Sequence, residues 1–415
     1  MQIQIDQERI GREIEALAAI SSVEPPAVTR IVFGEQDMRA RRWLNERFDE
    51  AGLAVRVDAV GNTFARWEGS RPELPAVATG SHIDAIPYAG KFDGVVGVLG
   101  GLEAIRALKE SGFRPTRSIE LIQFTSEEPT RFGVGCLGSR LLSGTLTSDS
   151  DERLRDREGQ TLESVRRQAG FTGDLASVRL PEGFYSAFVE LHIEQGPLLE
   201  REGITIGVVT EIAAPASFLI TLEGQGGHAG GTLMPGRRDA LCAASVLILV
   251  IEKLARSSGA IDTVATVGTC EIYPGAINSI PSKVKLGVDL RDIDGARRDK
   301  ILESIKDAAN TIAGQRQIDI QFELLNADAP ASSARRVLDA IRPACEDAKV
   351  SSREIVSRAY HDSLFMSRIA PTAMIFIPCR DGVSHRPDEF AALGDIAGGV
   401  EVLARALADL SGDAG

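Results

Sequence analysis

The chain is poor in cysteine and in positive charge. Its five cysteines, scattered over 415 residues, form no CxxC pair. An odd, scattered set of this kind fits a reducing compartment better than a disulfide framework or a zinc ribbon. The 46 Lys and Arg residues are outnumbered by 59 Asp and Glu residues, which gives a net charge of −13. That balance argues against nucleic acid or an anionic membrane as a partner.

Long apolar runs are also missing. No run reaches the roughly 18 residues that predict a membrane span, and the first twenty residues, MQIQIDQERIGREIEALAAI, do not have the order of a signal peptide. We therefore expect a cytoplasmic protein. With 43% hydrophobic and 25% charged residues, the chain can bury large cores, and two or three domains are expected. This composition excludes disordered and fibrous classes.

Apolar strands alternate with helices in the first half of the chain. AVATGSHID (76–84), SIELIQFTSEE (118–128) and AFVELHIEQG (187–196) are apolar segments that end in polar residues. This order predicts an α/β domain with a mainly parallel sheet and a site at the carboxyl ends of its strands.

A different pattern follows residue 212. The predicted elements run β-α-β-β-α-β, which is the order of a ferredoxin-like α+β unit. After that unit the α/β pattern returns with a helix near 333–348, a strand at TAMIFIPC and a closing helix. We therefore expect a discontinuous first domain, 1–212 and 330–415, and an inserted domain, 213–329.

The histidines lie in Gly-rich segments or beside carboxylates. There are five of them, namely His82, His192, His228, His361 and His385. Any single one could be a hydrogen-bonded structural histidine, but five in such settings indicate a metal site, since imidazole and carboxylate suit zinc, manganese, cobalt or nickel. Asp84 follows His82 by two residues, so in an extended segment both face one side and one can orient the other.

Two adjacent acids, Glu127 and Glu128, end the second apolar strand. Burying two charges there is costly unless a cation neutralises them. Neighbouring side chains in an extended backbone point to opposite sides. One acid can therefore bind a metal while the other acts as a general base. A solvated loop explains the pair equally well when it is considered alone.

Six segments occur in order over residues 75–392: GSHIDAIPYAGKFDGVVGVLGGLEAI, FTSEEPTRFGVGCLGSR, LHIEQGPLLE, GQGGHAGGTLMPGRRDA, GAINSIPSK, and HDSLFM with PCRDGVSHRPDEF. Together they resemble the dinuclear-metal amidohydrolases of the M20 peptidase type, in the hydantoinase/carbamoylase branch. That branch contains N-carbamoyl-L-amino acid hydrolases, β-ureidopropionases, and allantoate and ureidoglycolate amidohydrolases. The histidine in LHIEQGP is typical of the carbamoyl-cleaving members rather than the peptidases.

The resemblance implies two divalent metal ions per subunit. It makes Asp93 a bridging ligand, with His82 and His192 on one ion and Glu128 and His385 on the other. Manganese is the ion that this branch implies, while zinc, nickel and cobalt suit the same ligands.

The same resemblance implies the other roles in the site. Glu127 matches the catalytic base, and Asp84 matches a residue that supports His82 from behind. His228 matches a histidine that stabilises the tetrahedral intermediate, as a donor near an oxyanion would. The remaining matches are expected to bind substrate or line its pocket: Glu194, Gln195, Asn278 and Arg291.

Arg291 has an alternative explanation, namely an ion pair with Asp289 or Asp292. Its planar guanidinium is nevertheless well suited to a substrate carboxylate. The family also implies that the inserted domain closes over the site and forms a homodimer, in which His228 could serve the neighbouring subunit.

Tyr360 departs from the common pattern of the branch. Where many members have a segment like SGAGHDA, this chain has SRAYHDS at 357–363. A tyrosine there shrinks the pocket and adds a hydroxyl, so Tyr360 or His361 is expected to contact a 2-hydroxyl group. The segments resemble most the ureidoglycolate amidohydrolases of purine breakdown.

The implied reaction is therefore removal of the terminal carbamoyl group of (S)-ureidoglycolate, a small ureido substrate with a carboxylate. It yields glyoxylate, ammonia and carbon dioxide. The alternatives are an N-carbamoyl-L-amino acid hydrolase or β-ureidopropionase, an allantoate amidohydrolase, and a metal-containing protein without turnover.

Overall fold

The structure is a computed structural model that describes residues 3–412. It divides into two compact units. Unit 1 consists of Met1–Thr210, Ser332–Ser357 and His361–Gly415, and unit 2 of Glu211–Ala331 and Arg358–Tyr360. The insert expected at 213–329 lies inside unit 2. Unit 2 also contains the segment 358–360, which we had expected in the first domain.

Within the described residues the strands are β1 (Val28–Arg30), β2 (Ala54–Val57), β3 (Thr63–Trp67), β4 (Ala76–His82), β5 (Ala85–Ala89), β6 (Ile119–Phe124), β7 (Tyr185–Ile193), β8 (Ile206–Ile212), β9 (Ala214–Glu223), β10 (Gly227–His228), β11 (Val264–Tyr273), β12 (Ser279–Ile280), β13 (Lys283–Asp292), β14 (Asp319–Ala327), β15 (Ala331–Ser332), β16 (Ser352–Ser357) and β17 (Thr372–Ile377). The α-helices are α1 (Gln7–Ala18), α2 (Glu35–Glu50), α3 (Val95–Glu110), α4 (Leu137–Ser143), α5 (Ser150–Arg153), α6 (Leu162–Gln168), α7 (Leu198–Glu202), α8 (Ala240–Arg256), α9 (Gly295–Arg316), α10 (Arg335–Ala348), α11 (Asp362–Met366) and α12 (Leu393–Ser411).

Unit 1 is built on a nine-stranded mixed sheet in the order β15-β8-β17-β7-β4-β6-β3-β2, with β16 paired to β8. The four central strands, β17, β7, β4 and β6, are parallel. The outer neighbours β8 and β3 pair with them in the antiparallel sense. The expected α/β fold with a mainly parallel sheet is therefore confirmed, with antiparallel strands at both edges.

The side chains of the central strands alternate between the two faces of this sheet, which explains why both faces are covered. In β6, Ile119 and Leu121 belong to an apolar cluster with residues of α1, α2, α3, α10 and α12, whereas Ile122 and Phe124 belong to a second cluster with residues of α4 and α6. Since successive side chains point to opposite faces, one apolar strand supplies two cores. Parallel strands buried on both faces are the pattern expected for such folds.

Unit 2 contains an antiparallel sheet in the order β11-β13-β9-β14. Helices α8 and α9 follow β9 and β13 in the chain, so the order is the predicted β-α-β-β-α-β, with the short strands β10 and β12 added. Alternate residues of β9 and β13 are buried with apolar residues of both helices.

Two predictions made along the chain need correction. The segment 151–182, expected to be helical, contains only α5, α6 and a short 3-10 helix at Leu175–Val178. The strand β8 was not expected, although it pairs with β17, one of the four central strands. Within residues 3–412, no helix combines the length and the hydropathy that a bilayer crossing requires.

Candidate active site

Three adjacent parallel strands bring polar side chains to one edge of the unit 1 sheet. His82 is the last residue of β4, His192 lies one residue before the end of β7, and Glu127 and Glu128 follow β6. Because the carboxyl ends of parallel strands meet at one edge, these residues converge. The loop before α3 adds Asp93, and the loop after β17 adds His385.

Five of these residues form what we call the ligand cluster: His82, Asp93, Glu128, His192 and His385. Donor atoms of His82, Asp93 and His192 all lie within 4.8 Å of one another, and so do those of Asp93, Glu128 and His385. Asp93 Oδ1 is 3.2 Å from His192 Nε2, while Asp93 Oδ2 is 3.0 Å from His385 Nε2. The two oxygens of one carboxylate therefore face two groups of donors.

The far side of each buried imidazole is held by a backbone carbonyl. His82 Nδ1 is 3.0 Å from the carbonyl oxygen of Asp84, and His192 Nδ1 is 2.9 Å from that of Ile193. A proton on each Nδ1 leaves Nε2 as the nitrogen with a lone pair, and Nε2 is the atom that faces Asp93 or Glu127. This is the tautomer that a metal ligand needs.

Asp84 supports the site differently from what we expected. Its backbone carbonyl contacts His82, whereas its carboxylate is 3.7 Å from the imidazole Nδ1. The carboxylate instead accepts hydrogen bonds from the backbone amides of Glu127 (3.2 Å) and Glu128 (3.1 Å). One buried residue thus fixes both an imidazole and the backbone that carries the paired acids.

The site has an excess of buried negative charge. Burial and the neighbouring Glu128 raise the pKa of Glu127 well above its ordinary value. Burial and Asp93 raise the pKa of Glu128 to about 8. The hydrogen bond to Asp93 raises the pKa of His385 to about 9. Burial and like charge thus disfavour the ionised form of both glutamates, and an imidazole–carboxylate set without thiolate fits divalent cations.

Four residues of the site have left-handed backbone, which is uncommon outside glycine. They are Ser126 (φ 57°), Cys136 (φ 55°), Gln195 (φ 53°) and His385 (φ 59°). Ser126 directly precedes the paired acids, and His385 belongs to the ligand cluster. Strained backbone of this kind concentrates at functional sites, where the surrounding structure must hold it.

Glu389 positions the Asp93 loop, a role that we had not predicted. Its Oε1 accepts hydrogen bonds from the backbone amides of Phe92 (2.8 Å) and Asp93 (3.1 Å), and its Oε2 accepts one from Ser384 (2.9 Å). In the same loop, a Cβ on Gly94, whose φ is +67°, would lie 2.4 Å from His82 Nε2. Glu389 is part of the segment SHRPDEF, so the sequence contained a signal for it.

Cys136 contacts Glu127, the expected general base. Its buried Sγ is 3.4 Å from Glu127 Oε1, and its backbone amide donates to the carbonyl of Glu127 at 2.7 Å. The other carboxylate oxygen, Oε2, is 3.8 Å from His82 Nε2. One oxygen of Glu127 is therefore held from behind while the other faces the ligand cluster. A lone cysteine in the sequence gave no hint of this contact.

Gln195 and Glu194, both expected in the pocket, have different partners. Gln195 Nε2 donates to Asp93 Oδ1 at 2.9 Å, so this side chain does lie beside the ligand cluster. Glu194 accepts hydrogen bonds from the backbone amides of Leu198 (2.9 Å) and Leu199 (2.8 Å) at the start of α7. Glu194 thus satisfies two of the free backbone amides at the start of α7.

A second group of buried acids lies beside the first, and we call Glu190 and Asp362 the serine-bonded acids. Glu190 accepts hydrogen bonds from Ser81 Oγ (2.7 Å) and from Ser363 N and Oγ (3.1 and 2.6 Å). Asp362 accepts one from Ser139 Oγ at 2.5 Å. The ring of His361 has its centroid 4.5 Å from that of His192, and donor atoms of Glu190, His192 and His361 all lie within 4.8 Å of one another.

In unit 2, two of the expected substrate residues are neighbours. His228 pairs with Ser279 across strands β10 and β12, and the amide of Ala229 donates to the carbonyl of Asn278 at 2.9 Å. His228 and Asn278 therefore lie in one loop region, beside the strand β12 that precedes β13 in the chain.

Arg291 and Tyr360 form another pair, near the end of β13. The guanidinium carbon of Arg291 lies 5.4 Å from the ring centroid of Tyr360. Arg291 Nε also donates to Asp289 Oδ1 at 2.6 Å, which is the ion pair considered as an alternative. Arg291 lies eight positions after Lys283, the first residue of β13, so the stretch of β13 between the two pairs is roughly 26 Å long.

The model of Peptidase family M20/M25/M40 matches residues 78–409. The ureidoglycolate hydrolase of Arabidopsis thaliana is 52% identical over 99% of this chain and 88% of its own length. An N-carbamoyl-L-amino acid amidohydrolase of Geobacillus stearothermophilus is 39% identical over 96% of this chain and 97% of its own. The crystal structure of AtUAH in complex with (S)-hydroxyglycine is 52% identical, with a TM-score of 0.92 over 99% of this chain and 98% of that one.

Proposed function

Since the chain belongs to Peptidase family M20/M25/M40, we propose that it is a metal-dependent amidohydrolase that removes the terminal carbamoyl group of (S)-ureidoglycolate. One observation carries this proposal. A relative that is 52% identical over nearly the whole chain has been crystallised with (S)-hydroxyglycine, which is what remains of ureidoglycolate after its ureido group has been cleaved. The resemblance expected from the six segments is confirmed by this match.

We propose that the ligand cluster holds two divalent ions, most suitably manganese. His82, Asp93 and His192 would hold one, and Asp93, Glu128 and His385 the other. The donors are imidazole nitrogens and carboxylate oxygens, and burial with like charge raises the pKa values of Glu127 and Glu128, an effect that a bound cation would offset. When bound, the ions would supply the Lewis acidity that acidifies water and neutralises negative charge.

Glu127 is the proposed general base. Its Oε2 faces the cluster, and its buried position with a raised pKa suits a group that must both take and return a proton. Glu127 would remove a proton from the attacking water as the water oxygen bonds to the ureido carbon. It would then return that proton to the departing nitrogen, which leaves as ammonia.

The remaining carbamate breaks down without further help from the protein. It loses carbon dioxide to give hydroxyglycine, and hydroxyglycine eliminates ammonia to give glyoxylate. The chain therefore needs to bind only the carboxylate, the hydroxyl and the ureido oxygen of its substrate. We assign the carboxylate to Arg291, the hydroxyl to Tyr360 or His361, and the developing negative charge on the ureido oxygen to His228.

The spacing along β13 supports a homodimer as the active form. His228 and Asn278 lie before the first residue of β13 and Arg291 near its last, a distance of roughly 26 Å, far longer than a small ureido acid. One copy of unit 2 therefore cannot place both pairs on one substrate. We propose that a second copy of the chain supplies His228 and Asn278 to each site, with Arg291 and Tyr360 coming from the first.

The test is a side-by-side comparison of ammonia release by manganese-loaded protein. The substrates are (S)-ureidoglycolate, allantoate, N-carbamoyl-β-alanine and N-carbamoyl-L-alanine. A preference for ureidoglycolate that is lost in Tyr360→Gly supports both the reaction and the pocket. A preference for a carbamoyl amino acid would leave the metal chemistry and overturn the substrate, and failure to turn over any of the four would overturn the proposed function.

A further inference from the structure

Two backbone amides point at one nitrogen of His228. The amides of Gly230 and Gly231 donate to His228 Nδ1 at 3.1 and 3.0 Å. A nitrogen that accepts two hydrogen bonds through its lone pair carries no proton, so a neutral ring must be protonated on Nε2. The flipped ring would set the Cδ2–H group against both amides, so the orientation of the ring is fixed as well.

We propose that the loop of residues 225–238 holds His228 as a neutral imidazole with its proton on Nε2, and that Arg237 is the positioning residue that keeps this loop folded. We call residues 225–238 the His228 loop. The role of His228 toward the ureido oxygen rests on the proposed function. The protonation state of its ring and the part played by Arg237 rest only on contacts within unit 2.

Arg237 contacts the backbone of the loop at several points. Its Nη2 donates to the carbonyls of Ala229 (2.6 Å) and Thr232 (2.5 Å), and its Nε donates to those of Thr232 (3.2 Å) and Leu233 (3.3 Å). One planar guanidinium therefore binds three carbonyls on both sides of Gly230 and Gly231. The carbonyl of Ala229 shares a peptide unit with the amide of Gly230, and the carbonyls of Thr232 and Leu233 lie in the backbone that follows Gly231, so Arg237 acts on His228 through the backbone.

The two ends of the loop are closed independently of Arg237. The amide of Gln225 donates to the carbonyl of Arg238 at 2.8 Å, and Arg238 Nη2 donates to Gln225 Oε1 at 2.9 Å. Asp239 caps α8 directly after the loop through the amides of Leu241 and Cys242. Loss of the Arg237 side chain should therefore loosen the centre of the loop while its base stays closed.

A neutral Nε2–H suits the proposed chemistry. The ureido oxygen gains negative charge as water attacks, and a fixed donor stabilises that charge best when it need not reorient. A proton on Nδ1 would face the two amide protons. The loop thus presents one Nε2–H donor in one orientation.

The first experiment is nitrogen NMR on histidine-labelled full-length protein at neutral pH. The chain has five histidines, and His228→Gln identifies the signals of His228 by their loss. We expect a protonated Nε2 and an unprotonated Nδ1 for His228. A proton on Nδ1, or on both nitrogens, would overturn the inference, and this result needs no substrate.

The second experiment compares adjacent arginines. Arg237→Ala should give a mixture of His228 tautomers and lower kcat by roughly 10- to 100-fold with little change in KM, because a misplaced donor affects the transition state more than binding. Arg238→Ala, which loses only the contact to Gln225, should stay within about twofold of the parent. Circular dichroism and thermal melting of both variants report whether they remain folded.

The outcomes separate this inference from the proposed function. If the parent protein hydrolyses none of the ureido substrates while the NMR result stands, the proposed function fails and the assignment of the tautomer holds. If the parent is active and Arg237→Ala matches Arg238→Ala in kcat and in the His228 signals, the positioning role of Arg237 is wrong.

Discussion

The ligand cluster and the serine-bonded acids lie side by side at one edge of the same sheet, and their surroundings differ. Glu190 and Asp362 accept hydrogen bonds from serine hydroxyls and a backbone amide. In the ligand cluster, Glu128 Oε1 has His385 Nε2 at 3.3 Å, and both oxygens of Asp93 face imidazoles. The acids of both groups are buried, so burial alone does not distinguish them.

The partners decide what a buried carboxylate can do. A hydroxyl donates a proton that it keeps, so the bonds from Ser81 and Ser363 satisfy the hydrogen-bonding capacity of Glu190 without a cation. An imidazole nitrogen can exchange its proton for a metal, and a carboxylate facing it then becomes a second ligand to the same ion. Donor atoms of Glu190, His192 and His361 also lie within 4.8 Å of one another, so it is the serine bonds of Glu190 that distinguish it from the acids of the ligand cluster.

The largest difference should appear in metal content. Asp93→Asn should lose most of both ions, because Asp93 offers one oxygen to each group of donors, and should have no measurable ureidoglycolate hydrolysis. The matched change among the serine-bonded acids, Asp362→Asn, should keep its metals. Metal analysis of the two purified variants checks this. Two ions retained in Asp93→Asn would show that the bridging assignment is wrong.

The next difference concerns catalysis without loss of metal. Glu127→Gln keeps the shape of the side chain but cannot take a proton, so kcat should fall by roughly 10³-fold while metal content is unchanged. Glu190→Gln, a buried glutamate at the same sheet edge, should lose far less activity. Ammonia release measured together with metal content tests the pair. Equal losses of activity in both variants would remove the special role of Glu127.

Stability of the metal-free protein should fall between about pH 6.5 and about pH 9. Burial raises the pKa of Glu128 to about 8 from 4.5, and the hydrogen bond to Asp93 raises that of His385 to about 9 from 6.5. A group whose pKa is raised on folding contributes stability that is complete below its pKa in the unfolded chain. That stability is lost as the pH rises through its pKa in the folded protein. Burial lowers the pKa of His82 to about 4, so its opposing contribution ends near pH 6.5.

Urea unfolding of metal-free protein across this range measures the loss. Metal-loaded protein should show a flatter profile, because bound cations replace the protons. Metal-free Glu128→Gln should also be flatter, since the titrating acid is gone. A metal-free profile that stays level or rises over this range would contradict the assignment of these shifts.

Much of the fold could be predicted from the sequence because the elements have strong periodic patterns. The β-α-β-β-α-β order of unit 2 follows from period-two strands such as β9 and from the wide apolar face of α8. Strand β8 was missed because its pairing with β17 depends on contacts distant in the chain. The helices found over 151–182 are short, with seven residues in the longest of them, since that polar segment has too few apolar residues to hold long helices against the core.

The site was predictable where residue type alone carries the chemistry. Imidazoles and acids at strand ends indicated a metal site, whereas the choice of Asp93, Glu128 and His385 as ligands came from the family resemblance. Residue type alone did not separate Glu190 from Glu128. The roles of Asp84, Cys136 and Glu389 depend on which backbone amides or carboxylate oxygens they reach across the fold. Such long-range pairings are set by the tertiary structure, so a single sequence shows the residues without their partners.

The smallest effect tests whether the serine-bonded acids are structural. Ser363→Ala removes a 2.6 Å hydrogen bond to the buried Glu190, and the free energy of unfolding should fall by about 1–3 kcal/mol. Ser367→Ala, at the other end of α11, loses only a bond to the carbonyl of Leu364 and should change stability by less than about 0.5 kcal/mol. Denaturant unfolding measures both. If Ser363→Ala leaves stability unchanged but lowers metal content, Glu190 works with the ligand cluster, and the division between the two groups of acids is wrong.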